Sequence, residues 1–275
     1  MSEPYLVYTR DLGGLLPLGV PQLRACVRRN GGVTIRTTGD ASGETAEVGH
    51  YVGEAEPREV DALWRQFEDA SLRTHDPGAL DPEQPTIVVG FGAGDEPPQW
   101  LTVLDARLEP GPVADACAAV EATLRPVIEH AVHAVAGRVQ WSPPVVRAGA
   151  PLAMHLWLTN RGTESTELPH PGCGSNHARL ELSLASRADP TLRSSSVLGA
   201  TDVVQYGPDR TPLPYAETIV VPPRASLAFA IRRAAFVAPG TYDGALAFRF
   251  LPVDGSDAAL GGHLEMPVGP LEITA

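Results

Sequence analysis

The residues with the greatest chemical potential lie in one short segment, His170-Pro-Gly-Cys173-Gly-Ser-Asn-His177. A thiolate and two imidazoles this close in the chain could bind zinc or copper, because glycine and proline can bend the segment and bring them together. A neighbouring imidazole could also favour the thiolate of Cys173 and make it a nucleophile. The sequence offers no evident fourth ligand or orienting carboxylate. His170, Cys173 and His177 are therefore a candidate metal site, a candidate thiol site, or part of a plain loop.

A second candidate lies in the long segment 185–216, which is rich in Ser, Pro and Asp around a short apolar VVQY. Connections of this length are commonly functional or disordered. If the segment is an exposed loop, it presents a contact surface for a partner through Val203, Val204, Tyr206 and Tyr215. The alternative is an excursion at the edge of a sheet.

Other catalytic signatures are absent from the sequence. It contains no Gly-x-Ser-x-Gly elbow, no Walker loop, no His-Glu-x-x-His and no zinc-ribbon cysteine pairs. This favours a non-catalytic protein that needs no cofactor, with zinc at the His170 to His177 loop as the alternative.

The elements that position these residues differ between the two halves of the chain. In the first half, residues 33–53 alternate around a Gly-Asp-Ala-Ser-Gly turn, which predicts a β-hairpin. A helix follows, with Pro57 in its first turn, and its buried face is formed by Val60, Leu63, Trp64 and Phe67 at helical spacing. Segments 86–91 and 100–105 predict a second hairpin. A second helix is predicted over residues 113–136, where it buries Cys117 and exposes a charged stripe that ends at His133.

In the second half the helical periodicity stops. Seven segments alternate or run apolar between Pro and Gly, near 144–149, 152–159, 178–184, 217–221, 225–231, 241–250 and 268–274. Short strands with frequent turn signals are typical of an antiparallel sandwich. Leu180, Leu182 and Leu184 then share one inner face.

Two pieces of this half resemble known modules. LWLTNRGTESTELPHPGCG is similar to a strand, turn and strand of bacterial immunoglobulin-like modules. VPPRASLAFAIRRAAFVAPGTYDGALAFRF resembles the later strands of the same modules, notably the domain of intracellular proteinase inhibitors of the BsuPI type. The resemblance spans about 130 of the 275 residues. It implies an immunoglobulin-like fold and a non-catalytic, partner-contacting role, with Tyr242 as a hydroxyl-anchored corner tyrosine.

Composition and charge narrow the class of partner. The net charge is -12, and residues 1–138 hold 21 acidic residues against 11 arginines, whereas residues 139–275 hold 12 against 10. An acidic first half disfavours nucleic acid and favours a basic protein partner.

The sequence also indicates the compartment. No apolar run reaches the roughly 18 residues of a membrane span, and the first residues lack a basic region followed by an apolar one. Three scattered cysteines do not describe a disulfide framework, so we expect a cytoplasmic protein with reduced thiols.

Together these patterns predict an α+β fold class. A small acidic α+β domain of two hairpins and two helices (residues 1–138) is followed by an all-β immunoglobulin-like sandwich (residues 139–275). The predicted function is protein binding. More specifically, we expect an inhibitor or immunity protein that acts on a basic toxin or hydrolase. The alternatives are a metal-dependent or thiol enzyme centred on the His170 to His177 loop, and a structural component of a larger assembly. The sequence leaves the oligomeric state open.

Overall fold

The structure is a computed structural model, and strands dominate it. It describes residues 4–11, 23–37, 46–69, 86–93, 100–105, 109–128, 131–173, 177–189, 191–234, 238–251 and 260–275. These residues form seventeen strands and two helices. The chain divides into two compact units, the first from Met1–Thr38 and Gly49–Val132 and the second from Gly39–Val48 and His133–Ala275.

The first unit contains an antiparallel sheet and both helices. Its elements are β1 (Pro4–Asp11), β2 (Leu23–Arg28), β3 (Gly32–Thr37), β4 (Ala46–Glu54), α1 (Pro57–Asp69), β5 (Thr86–Ala93), β6 (Trp100–Asp105) and α2 (Pro112–Ile128). The strands follow the order β4-β3-β2-β1-β5-β6. The two predicted hairpins are confirmed as β3-β4 and β5-β6, but β1 and β2 lie between them and join them into one sheet.

Both helices bury the faces that their spacing predicts. On α1, Val60, Leu63, Trp64 and Phe67 are buried, and the ring of Trp64 lies edge-on to Phe91 at 5.5 Å. On α2, Cys117 is buried beside Val120 and Leu124. Burial, reinforced by the nearby Glu121, raises the pKa of the Cys117 thiol to about 12. Cys117 is therefore a small core residue, as predicted. Neither α1 nor α2, the helices of the described residues, is long and apolar enough to cross a membrane.

The predicted extent of the second helix is wrong. Helix α2 ends at Ile128, and a strand, β7 (Ala131–Trp141), begins three residues later. His133 is therefore a strand residue. It is buried, with Nδ1 3.5 Å from the hydroxyl of Thr166 and Nε2 3.9 Å from the carboxylate of Glu164. Glu129, which the prediction places on the same charged stripe, lies outside the described residues.

The second unit is built from two sheets and a separate strand pair. After β7 come β8 (Val145–Arg147), β9 (Pro151–Asn160), β10 (Thr166–Pro169), β11 (Ala178–Ser186), β12 (Arg193–Leu198), β13 (Val203–Tyr206), β14 (Thr218–Val221), β15 (Ser226–Ala234), β16 (Gly240–Phe250) and β17 (Gly262–Thr274). One set pairs in the order β13-β15-β9-β7, and the other in the order β12-β11-β16-β17-β8. Strands β10 and β14 pair with each other, and β8 pairs with β17 in parallel.

One hydrophobic core unites the strands of this unit. Leu152, Met154, Leu156 and Leu158 of β9 contribute to it, together with Leu180, Leu182 and Leu184 of β11. The inner face predicted for Leu180, Leu182 and Leu184 is therefore confirmed. The hydroxyl of Tyr242 donates to the carbonyl oxygen of Ala238 at 2.9 Å, which is the anchoring expected of it.

The predicted fold class is nevertheless wrong. The protein is predominantly β rather than an α+β domain followed by a separate immunoglobulin-like sandwich. The first unit is organised by a sheet of six strands instead of two hairpins on two helices. Residues 46–48 at the start of β4 belong to the second unit, whereas the rest of β4 belongs to the first. Local alternation identified many of the strands, but it does not specify which strands pair across long sequence separations.

Candidate functional site

His170 lies at the end of β10, where it holds a tight turn. Its side chain is 1% exposed. Its backbone N–H donates to the carbonyl oxygen of Glu217 at 2.7 Å, and its own carbonyl accepts from the N–H of Cys173 at 2.9 Å. The Nδ1 atom accepts from the N–H of Gly172 at 3.0 Å. The imidazole therefore satisfies a backbone donor inside the turn that leads to Cys173.

The surroundings of this imidazole are aromatic. The ring centroid of His170 lies 4.9 Å from that of Tyr215 and 5.5 Å from that of Phe229, and both contacts are edge-on. Burial lowers the pKa of His170 below its usual value, because the imidazolium loses its hydration. At neutral pH the ring is thus uncharged. Since Nδ1 accepts a hydrogen bond, the proton resides on Nε2.

The other two members of the predicted metal set lie on either side of residues 174–176, which are outside the described residues. Cys173 is partly buried and packs against the hydrophobic core. His177 is exposed immediately before β11, and its carbonyl oxygen accepts from the N–H of Leu251 at 2.8 Å. Within the described ranges, no group of three or more His, Cys, Asp or Glu side chains is placed to hold a metal ion. The metal site and the thiol site stay predictions.

The predicted contact residues Val203, Val204 and Tyr206 form a strand, β13, instead of a loop. It pairs with β15 at the end of the order β13-β15-β9-β7. Val203 is buried in the core, whereas Val204 faces the opposite side of the strand and is 37% exposed. Tyr206 is partly buried on that same opposite side. Of these three predicted contact residues, Val203 is therefore a core residue, whereas Val204 and Tyr206 lie on the opposite face of the strand.

The segment after β13 folds back along it. The N–H of Gly207 donates to the carbonyl of Thr211 at 2.9 Å, and the N–H of Leu213 donates to the carbonyl of Gln205 at 2.9 Å. Asp209 fixes the turn, since its carboxylate accepts from the backbone N–H and the hydroxyl of Thr211 at 3.1 and 2.7 Å. These bonds lower the pKa of Asp209. The backbone that carries Leu213 is thus fixed against the strand.

Large apolar side chains are exposed along this arrangement. Leu213 is 41% exposed and Tyr215 is 48% exposed. The ring of Tyr215 covers His170 on one side, and its pKa is raised by burial first, then by the nearby Cys173 and Glu217. We use the term edge surface for Val204, Tyr206, Leu213 and Tyr215. His170 therefore contacts the edge surface through the ring of Tyr215.

Leu213 belongs to the edge surface although the sequence analysis did not select it. Its neighbours Pro212 and Pro214 obscure any alternation, so periodicity gives no signal for a paired segment there. The signal that could have found it is Asp209-Arg-Thr211, because an aspartate two residues before a threonine is typical of a side-chain-capped turn. Such a turn returns the chain along β13 and fixes the position of Leu213.

Comparison with known proteins does not assign this chain to a family. The sequence matches no protein-family model and no curated protein. Among solved structures, the chain has a TM-score of 0.26 with the Salmonella SafD adhesin, at 15% identity over 51% of this chain and 99% of that one. It has a TM-score of 0.26 with AvmM, which catalyses macrocyclization in alchivemycin A biosynthesis, at 12% identity over 49% and 88% of the two chains. A family 123 glycoside hydrolase from Clostridium perfringens matches with a TM-score of 0.22, at 9% identity over 46% and 22%. At TM-scores this low, these similarities establish neither the fold nor the function.

Proposed function

We propose that this chain is a non-catalytic protein-binding protein that contacts its partner through the edge surface. The observation that carries the proposal is the exposure of Val204, Leu213 and Tyr215 on a backbone held in place by hydrogen bonds. Isolated apolar side chains on a surface are ordinary, but several that share one ordered segment mark an interaction site. The concrete form is an inhibitor or immunity protein that acts on a basic toxin or hydrolase.

The order of the segment supports binding. An association that must first immobilise a loop loses part of its free energy to that ordering. Here the bond from Leu213 to Gln205 and the turn capped by Asp209 already fix the backbone. Tyr215 is half exposed, and its ring rests on His170. Tyrosine is enriched at interfaces because its ring supplies apolar area while its hydroxyl can still bind water or a partner.

Charge indicates the kind of partner. Asp209 and Glu217 are exposed close to the edge surface, with Arg210 exposed between them in the chain. The net charge of -12 comes mainly from residues 1–138, and residues 139–275 hold 12 acidic residues against 10 arginines. A negative surface accelerates encounter with a positive one, and the acceleration falls as salt screens it. We therefore expect a basic protein whose capture weakens at high ionic strength.

Affinity capture from lysate of the native host at low and high salt tests the proposal, with bound proteins identified by mass spectrometry. The double variant Leu213→Ser, Tyr215→Ala removes the apolar part of the edge surface. The matched control is Val220→Ser, which alters a side chain of similar exposure on β14. Circular dichroism and thermal unfolding establish that each variant is folded.

The expected result is a stoichiometric, salt-sensitive basic protein that the wild type and Val220→Ser capture and the double variant does not. Equal capture by all three proteins would exclude the edge surface as the contact. Absence of any specific partner at either salt concentration would contradict the binding function itself, and metal analysis and thiol alkylation at Cys173 would then follow.

A further inference from the structure

A cleft that is open to solvent lies in the second unit, beside a strand that carries serine where its neighbour carries leucine. In the β11-β12 ladder, Ser194 pairs with Leu184 and Ser196 pairs with Leu182. Paired residues of adjacent strands project from the same face, so both serines share a face with these leucines. At this end of the face Ser194 is exposed and Ser196 is partly buried. A serine side chain is too small and too polar to fill the space that a leucine would fill.

The cleft is large enough to hold a small molecule. The cleft has a volume of about 320 Å³, and its apolar lining consists of Leu152, Leu182, Leu184 and Ala234. Sites for small molecules start at roughly 300 Å³ and combine an apolar lining with a few directed polar groups. The cleft has this size and this kind of lining.

Polar groups line the rest of the cleft and favour a negative charge. Ser194, Ser196 and Arg233 contribute hydroxyl groups and one guanidinium. The side chain of Arg233 is 38% exposed, and its Nη1 donates to the carboxylate oxygens of Asp202 at 3.1 and 3.3 Å. A guanidinium has five N–H donors in a planar fork, so an arginine bound through one nitrogen can still bind a second carboxylate through the others.

We propose that this cleft binds a small amphipathic carboxylate, a linear alkyl chain that ends in a carboxylate group. The alkyl chain contacts Leu152, Leu182 and Leu184. The carboxylate accepts hydrogen bonds from Arg233 and from the serine hydroxyl groups. The ligand site is separate from the edge surface and does not depend on the proposed protein partner.

Isothermal titration calorimetry with octanoate tests the proposal, with octanol and acetate as comparison probes. Octanol keeps the alkyl chain without the charge, and acetate keeps the charge without the chain. We expect the wild type to bind octanoate at least tenfold more tightly than either comparison probe. Octanol that binds as tightly as octanoate would overturn the assignment of a carboxylate, and failure to bind octanoate would overturn the site.

Two pairs of variants locate the binding. Ser196→Leu fills the cleft, and Ser195→Leu changes the neighbouring residue on the opposite, exposed face of β12. Arg233→Gln removes the charge that lines the cleft, and Arg232→Gln removes that of the exposed neighbour on β15. We expect Ser196→Leu to abolish octanoate binding and Arg233→Gln to weaken it about tenfold, as the loss of a charged hydrogen bond implies. Both controls should bind like the wild type.

The stability of each unliganded variant separates loss of the site from loss of the fold. Ser196→Leu places an apolar side chain beside its cross-strand partner Leu182, so its melting temperature should equal or exceed that of the wild type. A stable Ser196→Leu variant that still binds octanoate would place the ligand elsewhere and overturn the proposal.

Discussion

Asn160 shows how one buried polar side chain fixes a turn. It has no solvent exposure, and its Nδ2 donates to the carbonyl oxygens of Glu164 at 2.7 Å and Val221 at 2.8 Å. Its Oδ1 accepts from the N–H of Gly162 at 2.8 Å. The Asn-Arg-Gly turn that the sequence marks is therefore held by three hydrogen bonds to a single amide group.

Replacement of this amide is expected to be costly. Asn160→Ala leaves three backbone groups without their partner, so we expect the free energy of unfolding to fall by about 3 kcal/mol. Urea denaturation measures the loss. The control is Thr159→Ala, which removes an exposed hydrogen bond between the hydroxyl groups of Thr159 and Ser226. An equal loss of unfolding free energy in both variants would contradict the expectation that burial makes the hydrogen bonds of Asn160 more costly to lose than an exposed one.

His170 should make stability depend on pH. Its pKa in the folded protein lies below the usual value because of burial, whereas the unfolded chain takes up a proton near pH 6.5. A depressed folded pKa contributes stability that is fully present above the unfolded pKa and is lost as pH falls toward the folded pKa. We expect the free energy of unfolding to decrease from pH 7.5 to pH 5.

Denaturation of the His170→Asn variant between pH 7.5 and pH 5 measures how much His170 contributes to this decrease in the free energy of unfolding. The decrease should be smaller than in the wild type, although His263, whose pKa is also lowered by burial and then by Arg249, retains part of it. His155→Asn, at an exposed position of β9, should keep the full decrease. A variant at position 170 with an unchanged pH profile would contradict a buried, neutral imidazole.

At the scale of elements, strand β16 depends on a glycine. A Cβ atom added to Gly244 would lie 2.7 Å from the Trp141 ring and 3.4 Å from Val268. The ring is held in place because its Nε1 donates to the carbonyl of Gly269 at 3.1 Å. The register between β16 and β17 shifts between Gly244 and Ala245. The close approach of the ring therefore requires a residue without a side chain at this bulge.

The variant Gly244→Ala should be destabilised by about 1–3 kcal/mol, as overpacking of a core implies. Thermal unfolding checks this value. Gly199→Ala is the matched control, since an added Cβ there meets no atom within 4 Å. A Gly244→Ala variant as stable as the control would indicate that Trp141 can move aside without loss.

The elements also show where sequence patterns suffice and where they do not. Helix α1 was predictable because Val60, Leu63, Trp64 and Phe67 repeat at a spacing that only a helix places on one face. Residues 131–136 are different, because Ala-Val-His-Ala-Val-Ala fits a buried helix and a buried strand equally well. The choice is made by partners far along the chain, since β7 pairs with β9 from Val135 to Trp141.

The candidate site was predictable in part for the same reason. Val204, Tyr206 and Tyr215 stood out as apolar residues in a polar segment. Their division between the surface and the core, with Val203 buried, depends on the pairing of β13 with β15. Ser194 and Ser196 gave no signal, because serines in a polar segment look like loop residues until the ladder places them opposite leucines.

At the scale of the whole molecule, charge dominates its behaviour in solution. The chain has a net charge of -12 at pH 7 and an isoelectric point near 5.1. Repulsion between like-charged molecules favours solubility and vanishes near the isoelectric point. We expect solubility to pass through a minimum close to pH 5.1, measured as the concentration left in solution with polyethylene glycol. A minimum above pH 6 would indicate that buried groups change the charge of the folded protein.

The parallel pairing of β8 with β17 has a consequence for synthesis on the ribosome. Strand β17 lies between β16 and β8, and Glu272 to Thr274 supply the partners of Val145 to Arg147. A growing chain therefore exposes β8 and one edge of β16 until residue 274 has emerged from the exit tunnel. This sheet is complete only after β17 has emerged, and until then its unpaired strand edges are the surfaces that a chaperone would protect.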